Sequence, residues 1–136
     1  MCKKEEPLIT LSFTWPASIP RDHINEEFIQ GMLDRMAFGF HNYGHVKEQF
    51  PHIHDALGNL ALRVKTYRKT KNLEFLMDAA NYSMIEFSRP RLKGAFFTPT
   101  SREESPGSIH RKEKKIVKGK DDTESARIAA KMYKSY

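Results

Sequence analysis

The sequence has a single cysteine and no long apolar run, and these two absences exclude several classes of protein. Cys2 cannot form an internal disulfide, which excludes a secreted scaffold held together by disulfides. No 18 consecutive apolar residues occur, so no membrane-spanning helix is predicted. The first residues, MCKKEEPLIT, place acidic side chains before the first apolar stretch, which is not typical of a signal peptide. We therefore expect a cytoplasmic protein, and 136 residues are enough for one domain with its own core.

Motifs of the common nucleotide-binding and hydrolase folds are also missing. The chain contains no GxSxG nucleophile motif, no Walker phosphate loop and no GxGxxG dinucleotide loop. A hydrolase that forms a covalent intermediate is therefore not expected.

The net charge of +6 is concentrated near the C-terminal end. Residues 1–109 contain 14 Lys and Arg against 13 Asp and Glu, whereas residues 110–136 contain 9 against 4. The body of the protein is thus nearly neutral, which argues against a basic nucleic-acid-binding domain. Weak nucleic-acid binding is expected only through the basic run at residues 111–120.

Residues 8–15, LITLSFTW, predict a β-strand. Their side chains alternate with a period of two up to Pro16, and most are β-branched or aromatic. One strand alone is not stable, and two partners remain open: residues 95–99, or the same strand from another copy. The second partner would make the protein a homo-oligomer, which we expect.

The next segment predicts a first helix that ends at Gly44. Pro20, Asp22 and Asn25 are start signals, and Glu26 and Glu27 place carboxylates in the first turn, where they suit the helix dipole. Apolar side chains recur at helical spacing until about Tyr43. The predicted buried stripe consists of Phe28, Ile29, Met32, Leu33, Met36, Ala37 and Phe40.

Two further helices follow. Pro51 and Asp55 open the second, whose apolar face carries Leu57, Leu60, Val64 and Tyr67. Asn72 caps the third, which spans residues 73–88 and is halted by the pair at 89–90, Arg-Pro. Because the third helix is apolar on nearly all sides, we expect it to be the central helix of the bundle.

The composition after Gly94 predicts an extended arm. Low hydrophobicity and a high content of Pro, Gly and Ser argue against a packed element there. The predicted protein is therefore mainly α, a small bundle of three core helices with an N-terminal β-strand and an extended C-terminal arm. Its domain covers residues 1–107, and residues 108–136 form a flexible basic tail with one short helix near its end.

Three polar residues of the third helix, Glu74, Asp78 and Asn81, fall within a stripe about 60° wide. One interpretation is a solvated face. The other is a set of polar groups between apolar walls formed by Met77 and Tyr82, which would need cations, a metal or a ligand as partners. In that case Glu74 and Asp78, four residues apart, would project side by side and hold Mg²⁺ with substrate phosphates.

The cations predicted to contact a phosphate lie on both sides of this stripe in the sequence. They are Arg63 and Arg68 on the second helix, and Arg89 and Arg91 just after the third. The HNYG segment, residues 41–44, offers aromatic groups on which a base could stack. Cations near a helix C-terminus are equally expected from their interaction with the helix dipole.

Four histidines cluster between the first two helices: His41, His45, His52 and His54. His41 and His45 have the spacing that lets two ligands share one metal. No HExxH motif or CxxC pair accompanies them, so ordinary surface histidines are the simpler interpretation.

The stretch from Tyr67 to Pro90, YRKTKNLEFLMDAANYSMIEFSRP, resembles small proteins of phages and mobile elements. It is also similar to the last core helix of the MazG-like all-α nucleotide pyrophosphatases, over less than a quarter of the chain. This resemblance implies Mg²⁺-dependent hydrolysis of nucleoside triphosphates, with Glu74 and Asp78 as counterparts of the acidic pair. It also implies the cytoplasm of a host cell as the location. The ExxE motif expected on the earlier acidic helix is not plainly present.

The leading hypothesis is a helical homo-oligomer that binds a nucleotide or related phosphorylated small molecule, by sequestration or by Mg²⁺-dependent hydrolysis. Its ligand-binding residues would be Glu74, Asp78, Asn81, Tyr82, Arg63, Arg68, Arg89 and Arg91. The second hypothesis is a protein-interaction module that acts through the strand edge or the basic tail, as a phage counter-defence protein could. Phe38, on the otherwise polar face of the first helix, is predicted to meet another chain or the loop at residues 96–97.

Overall fold

The computed structural model describes residues 7–110, and these contain four α-helices and no strand. A 3₁₀ turn at Arg21–His23 precedes them. The helices are α1 (Glu26–Tyr43), α2 (Val46–Gln49), α3 (Ala56–Thr70) and α4 (Glu74–Ser88). The mainly helical class predicted from the sequence is confirmed.

Local capping chemistry explains where the long helices begin. The Asn25 side chain accepts a hydrogen bond from the Phe28 amide at 2.8 Å, and the Asp55 side chain accepts one from the Gly58 amide at 3.0 Å. Each bond satisfies an amide that has no partner within the first turn of its helix. The predicted starts of α1 and α3 are confirmed.

The helix ends also follow from single residues. Gly44 has φ = 85°, a left-handed conformation that favours glycine, and it ends α1 as predicted. Lys71, at φ = 62°, ends α3. Helix α4 starts at Glu74, one residue later than predicted. The Asn72 side chain accepts a hydrogen bond from the Glu74 amide at this start.

Helix α4 is the central element, as predicted, because both α1 and α3 pack mainly against it. Phe50, Ala56 and Ile85 form the buried apolar cluster, with partly buried Met36 and Tyr82 against it. This cluster lies among α1, α3, α4 and the segment after α2.

Residues 8–15 do not form a strand among the described residues, and their pairing with the same segment of another copy stays a prediction. Residues 7–15 contain no helix or strand, and their apolar side chains are exposed. Residues 95–99 do not pair with them and also lie outside any helix or strand. The basic run at 111–120 and the short terminal helix predicted beyond it lie outside the described residues.

Candidate functional site

The polar stripe of α4 is not a solvated face. Asp78 retains 9% of its accessible surface and Asn81 retains 7%. Glu74, one turn before Asp78, is half exposed. Of the two interpretations of this stripe, the one in which polar groups need partners is therefore correct for Asp78 and Asn81.

Asp78 receives hydrogen bonds from two arginines on different helices. Arg35 of α1 donates from Nε to Oδ1 at 3.0 Å and from Nη2 to Oδ2 at 3.4 Å. Arg63 of α3 donates from Nε to Oδ2 at 3.4 Å. A single carboxylate of α4 thus ties both flanking helices to the central one.

Glu74 and Tyr82 extend this arrangement along α4. The Arg35 Nη1 lies 3.4 Å from Glu74 Oε1. The Arg63 guanidinium donates to the Tyr82 hydroxyl at 3.4 Å, and its Cζ lies 5.3 Å from the centre of that ring, within the range of a cation–π contact. We call these five residues, Arg35, Arg63, Glu74, Asp78 and Tyr82, the arginine–carboxylate cluster.

The charges within the arginine–carboxylate cluster balance. The hydrogen bond to Asp78 raises the pKa of the Arg35 guanidinium above its ordinary value, and the charges of Asp78 and Glu74 add to this effect. Partial burial opposes it but is the smaller influence. Two guanidinium groups therefore face two carboxylates in a partly dry setting.

This arrangement disfavours a metal between the two carboxylates. A Mg²⁺ ion held by Glu74 and Asp78 would have to displace the guanidinium of Arg35, which contacts both. Among residues 7–110, no group of three or more His, Cys, Asp or Glu side chains is placed to hold a metal ion. Within that range His41 and His45 instead make edge contacts with the Phe40 ring.

Asn81 faces α1 and keeps one atom without a partner. Its Nδ2 donates to the Met32 carbonyl at 2.8 Å, which fixes the orientation of the amide. Its Oδ1 is buried and accepts no hydrogen bond from the described residues. A buried acceptor without a donor is uncommon in folded proteins.

The structure brings together only part of the predicted ligand set. Arg63, Glu74, Asp78 and Tyr82 meet in the arginine–carboxylate cluster. Arg89 and Arg91 follow the opposite end of α4, about 16 Å from Asp78 along the axis at 1.5 Å per residue.

The other cations predicted to contact a phosphate lie away from Asp78. Arg91 pairs instead with Asp55 at 3.0 Å, and its amide donates to Glu86. Arg68 lies exposed in the last turn of α3. These three cations therefore do not join the cluster around Asp78.

Arg35 was missed by the sequence analysis. It lies seven residues after Phe28 and three after Met32, so it shares their helix face. A lone arginine within an apolar stripe requires an anionic partner, and this signal could have been paired with the carboxylates of α4. Arg63, which was predicted to contact a phosphate, donates to the Asp78 carboxylate and to the Tyr82 hydroxyl.

Phe38 does not meet the loop at residues 96–97. Its ring lies 4.8 Å from the Arg35 Cζ, so it covers the guanidinium from the outer side. Phe97 instead makes an edge contact with Phe87 of α4. Phe38 is still half exposed, and a contact with another chain stays a prediction.

The described residues expose much of their apolar surface. Only four hydrophobic residues are buried, and twenty large ones are exposed. Those along the N-terminal segment and α1 are Leu8, Ile9, Leu11, Phe13, Trp15, Ile19, Ile29, Leu33, Phe38, Phe40 and Tyr43. Where such side chains adjoin one another, they are typical of an interaction surface.

Within residues 7–110, no helix has both the length and the apolar character needed to cross a bilayer. Comparison with protein-family models, curated proteins and solved structures finds no match for this chain.

Proposed function

We propose that this protein is a protein-interaction module that assembles with a second copy of itself. The observation that carries the proposal is the exposure of twenty large hydrophobic residues against four that are buried, among residues 7–110. Full burial of such a side chain contributes about 1.5–3 kcal/mol, so covering even a few of them favours assembly strongly.

The N-terminal segment supports this function through its backbone as well as its side chains. Residues 8–15 make no backbone hydrogen bond to another described residue. Their apolar set, Ile9, Leu11, Phe13 and Trp15, alternates with polar residues, which suits a strand with one buried face. Unpaired backbone of this type recruits another strand, the mode of recognition known as β-addition.

A second copy is the occupant that this segment fits best. Pairing the segment with itself across a two-fold axis satisfies both copies at once, since the same surface is used twice. A two-stranded ribbon is only marginally stable by itself. The exposed apolar residues of α1 offer a surface against which such a ribbon could pack.

Light scattering coupled to size exclusion tests the proposal on the full chain. We expect an oligomer whose melting temperature rises with protein concentration, because association stabilises the folded state by mass action. Phe13→Lys should weaken the assembly, whereas Thr14→Lys, one residue on and on the opposite face of the segment, should not. A wild-type monomer at all concentrations would refute the proposal.

A second candidate function is binding of a phosphorylated small molecule, such as a nucleotide, beside the arginine–carboxylate cluster. The unpartnered buried Oδ1 of Asn81 favours it, since this atom could accept a hydrogen bond from a base. The exposed cations Lys69 and Lys71 at the end of α3 precede Glu74 closely in the chain and could meet a phosphate.

Thermal melts with a nucleotide panel test this second candidate. A ligand with a dissociation constant of about 10 μM, present at about 1 mM, should stabilise the protein by roughly 2.7 kcal/mol. Asn81→Leu should lose the shift, while Ser83→Ala, two residues along α4, should keep it.

The same melts with and without Mg²⁺ address the two modes of action. A shift that needs Mg²⁺ and is accompanied by pyrophosphate release would support hydrolysis, as the MazG-like resemblance implies. A shift without turnover would support sequestration. No shift with any nucleotide would refute this second candidate.

A further inference from the structure

The apolar stripe of α1, predicted to be buried along its whole width, is wider than the surface that α4 covers, and only one edge of it meets α4. On that inner face Arg35 reaches Asp78, and the Met32 carbonyl accepts from Asn81. At Gly31 the Met77 side chain of α4 lies against the backbone of α1, where an added Cβ would stand 2.5 Å from its Sδ and Cε. The inner face of α1 is therefore fully used within the chain.

The outer face of α1 is formed by Ile29, Leu33, Ala37 and Phe40, all of them exposed. We call these four residues the outer ridge. Their spacing places them on one side of the helix, within about 80° at 100° per residue. An apolar stripe wider than the surface that α4 covers leaves part of the helix without a partner, and the outer ridge is that part.

The charges of α1 favour an antiparallel copy of the same helix as that cover. The first turn holds the carboxylates Glu26 and Glu27, and the basic residue of the last turn is His41. Antiparallel docking places the acidic turn of one copy beside the last turn of the other and sets the two helix dipoles in opposition. A parallel arrangement would instead bring the two acidic first turns together, although one carboxylate of each turn, Glu26, is paired with Arg21.

We infer that the outer ridge is the interface on which a second copy of this chain docks, α1 against α1 and antiparallel. The inference rests on the proposed function. Ile29, Leu33 and Ala37 form a row at i, i+4 and i+8, and rows of this kind interdigitate in the commonest class of helix packing, at about −50°. The two-fold axis then passes between Leu33 and Ala37.

The size of the interface shows that α1 needs help from the N-terminal segment. An 18-residue helix is about 27 Å long and about 10 Å wide, so its footprint is roughly 300 Å². A stable interface usually buries about 800 Å² on each partner. The exposed apolar side chains of residues 8–19, directly before α1, are the natural source of the remainder.

Cross-linking through single cysteines tests the arrangement. In the full chain with Cys2→Ser, we would introduce Ala37→Cys or Ile29→Cys and add a short bifunctional thiol reagent. Around the inferred axis, Ala37 lies about 6 Å from its counterpart along the helix and Ile29 about 18 Å, at 1.5 Å per residue. We expect covalent dimers of the Ala37→Cys variant and none of the Ile29→Cys variant.

A second pair of variants guards against misfolding of the cysteine variants. Leu33→Lys should reduce the oligomer to a monomer with an unchanged helical circular-dichroism spectrum. Met84→Lys is the matched control, because Met84 of α4 is 39% exposed and Leu33 is 37% exposed. Met84→Lys should leave the oligomer intact.

The outcomes separate this inference from the function on which it rests. A wild-type monomer in light scattering would refute both. An oligomer in which Ala37→Cys does not cross-link, or in which Leu33→Lys has no effect, would refute the outer ridge as the interface and leave self-assembly standing. Cross-linking of both cysteine variants would indicate parallel helices and overturn the antiparallel arrangement.

Discussion

Replacing Asp78 with alanine removes the acceptor that Arg35 and Arg63 share. Both arginines are largely shielded from water, and each would lose its shortest contact with a carboxylate. Removing one member of a buried ion pair typically destabilises a protein by about 3–5 kcal/mol, because the remaining charge is left desolvated. Asp78 pairs with two arginines rather than one, so we expect the destabilisation caused by Asp78→Ala to fall within this range.

Two contacts that remain after the substitution place the expected loss of stability at the lower end of this range. Arg35 keeps Glu74 at 3.4 Å, and Arg63 keeps the Tyr82 hydroxyl at 3.4 Å. We therefore expect Asp78→Ala to lower the free energy of unfolding by about 3 kcal/mol. For a domain of 60–100 residues this corresponds to a fall in melting temperature of about 12–24 °C.

Urea unfolding at a fixed protein concentration measures this change, with the slope m checked for constancy. Glu74→Ala is the control, because its side chain is 50% exposed, against 12% for Asp78. An exposed pair of this type contributes at most about 1 kcal/mol. If Asp78→Ala were as stable as the wild type, the carboxylate would not be a structural partner of the arginines. If it were also deficient in nucleotide binding, the ligand candidate would gain instead.

Three further predictions concern single features of the chain. Arg35→Lys should destabilise the protein measurably in the same urea assay, because lysine cannot reproduce the two-pronged contact with Asp78; full stability would mean that only the charge matters. Asp55→Ala should cost about 1 kcal/mol by loss of the cap on Gly58, and an unchanged midpoint would contradict that role. Deleting residues 108–136 should abolish any nucleic-acid binding seen in a fluorescence anisotropy titration, and the wild-type signal should fade steeply with salt. Binding that survives the deletion would place the site on the helical body.

The positions of the three long helices were determined by the sequence itself, whereas the short helix α2 was not predicted. Asn25 and Asp55 cap through their own side chains, and Gly44 ends α1 because its backbone adopts a conformation that other residues avoid. Such effects extend over one turn and need no tertiary contact. The central place of α4 was also predictable, since a helix apolar on nearly every side has to be surrounded.

Only the tertiary structure decided what the polar residues of α4 do. Arg35 lies 43 positions before Asp78, and the folding of α1 onto α4 is what places their side chains 3.0 Å apart. The tertiary structure also shows that no other described segment pairs with residues 8–15. A periodic pattern reports which face of an element is apolar or polar, but the partner of that face depends on contacts between distant parts of the chain.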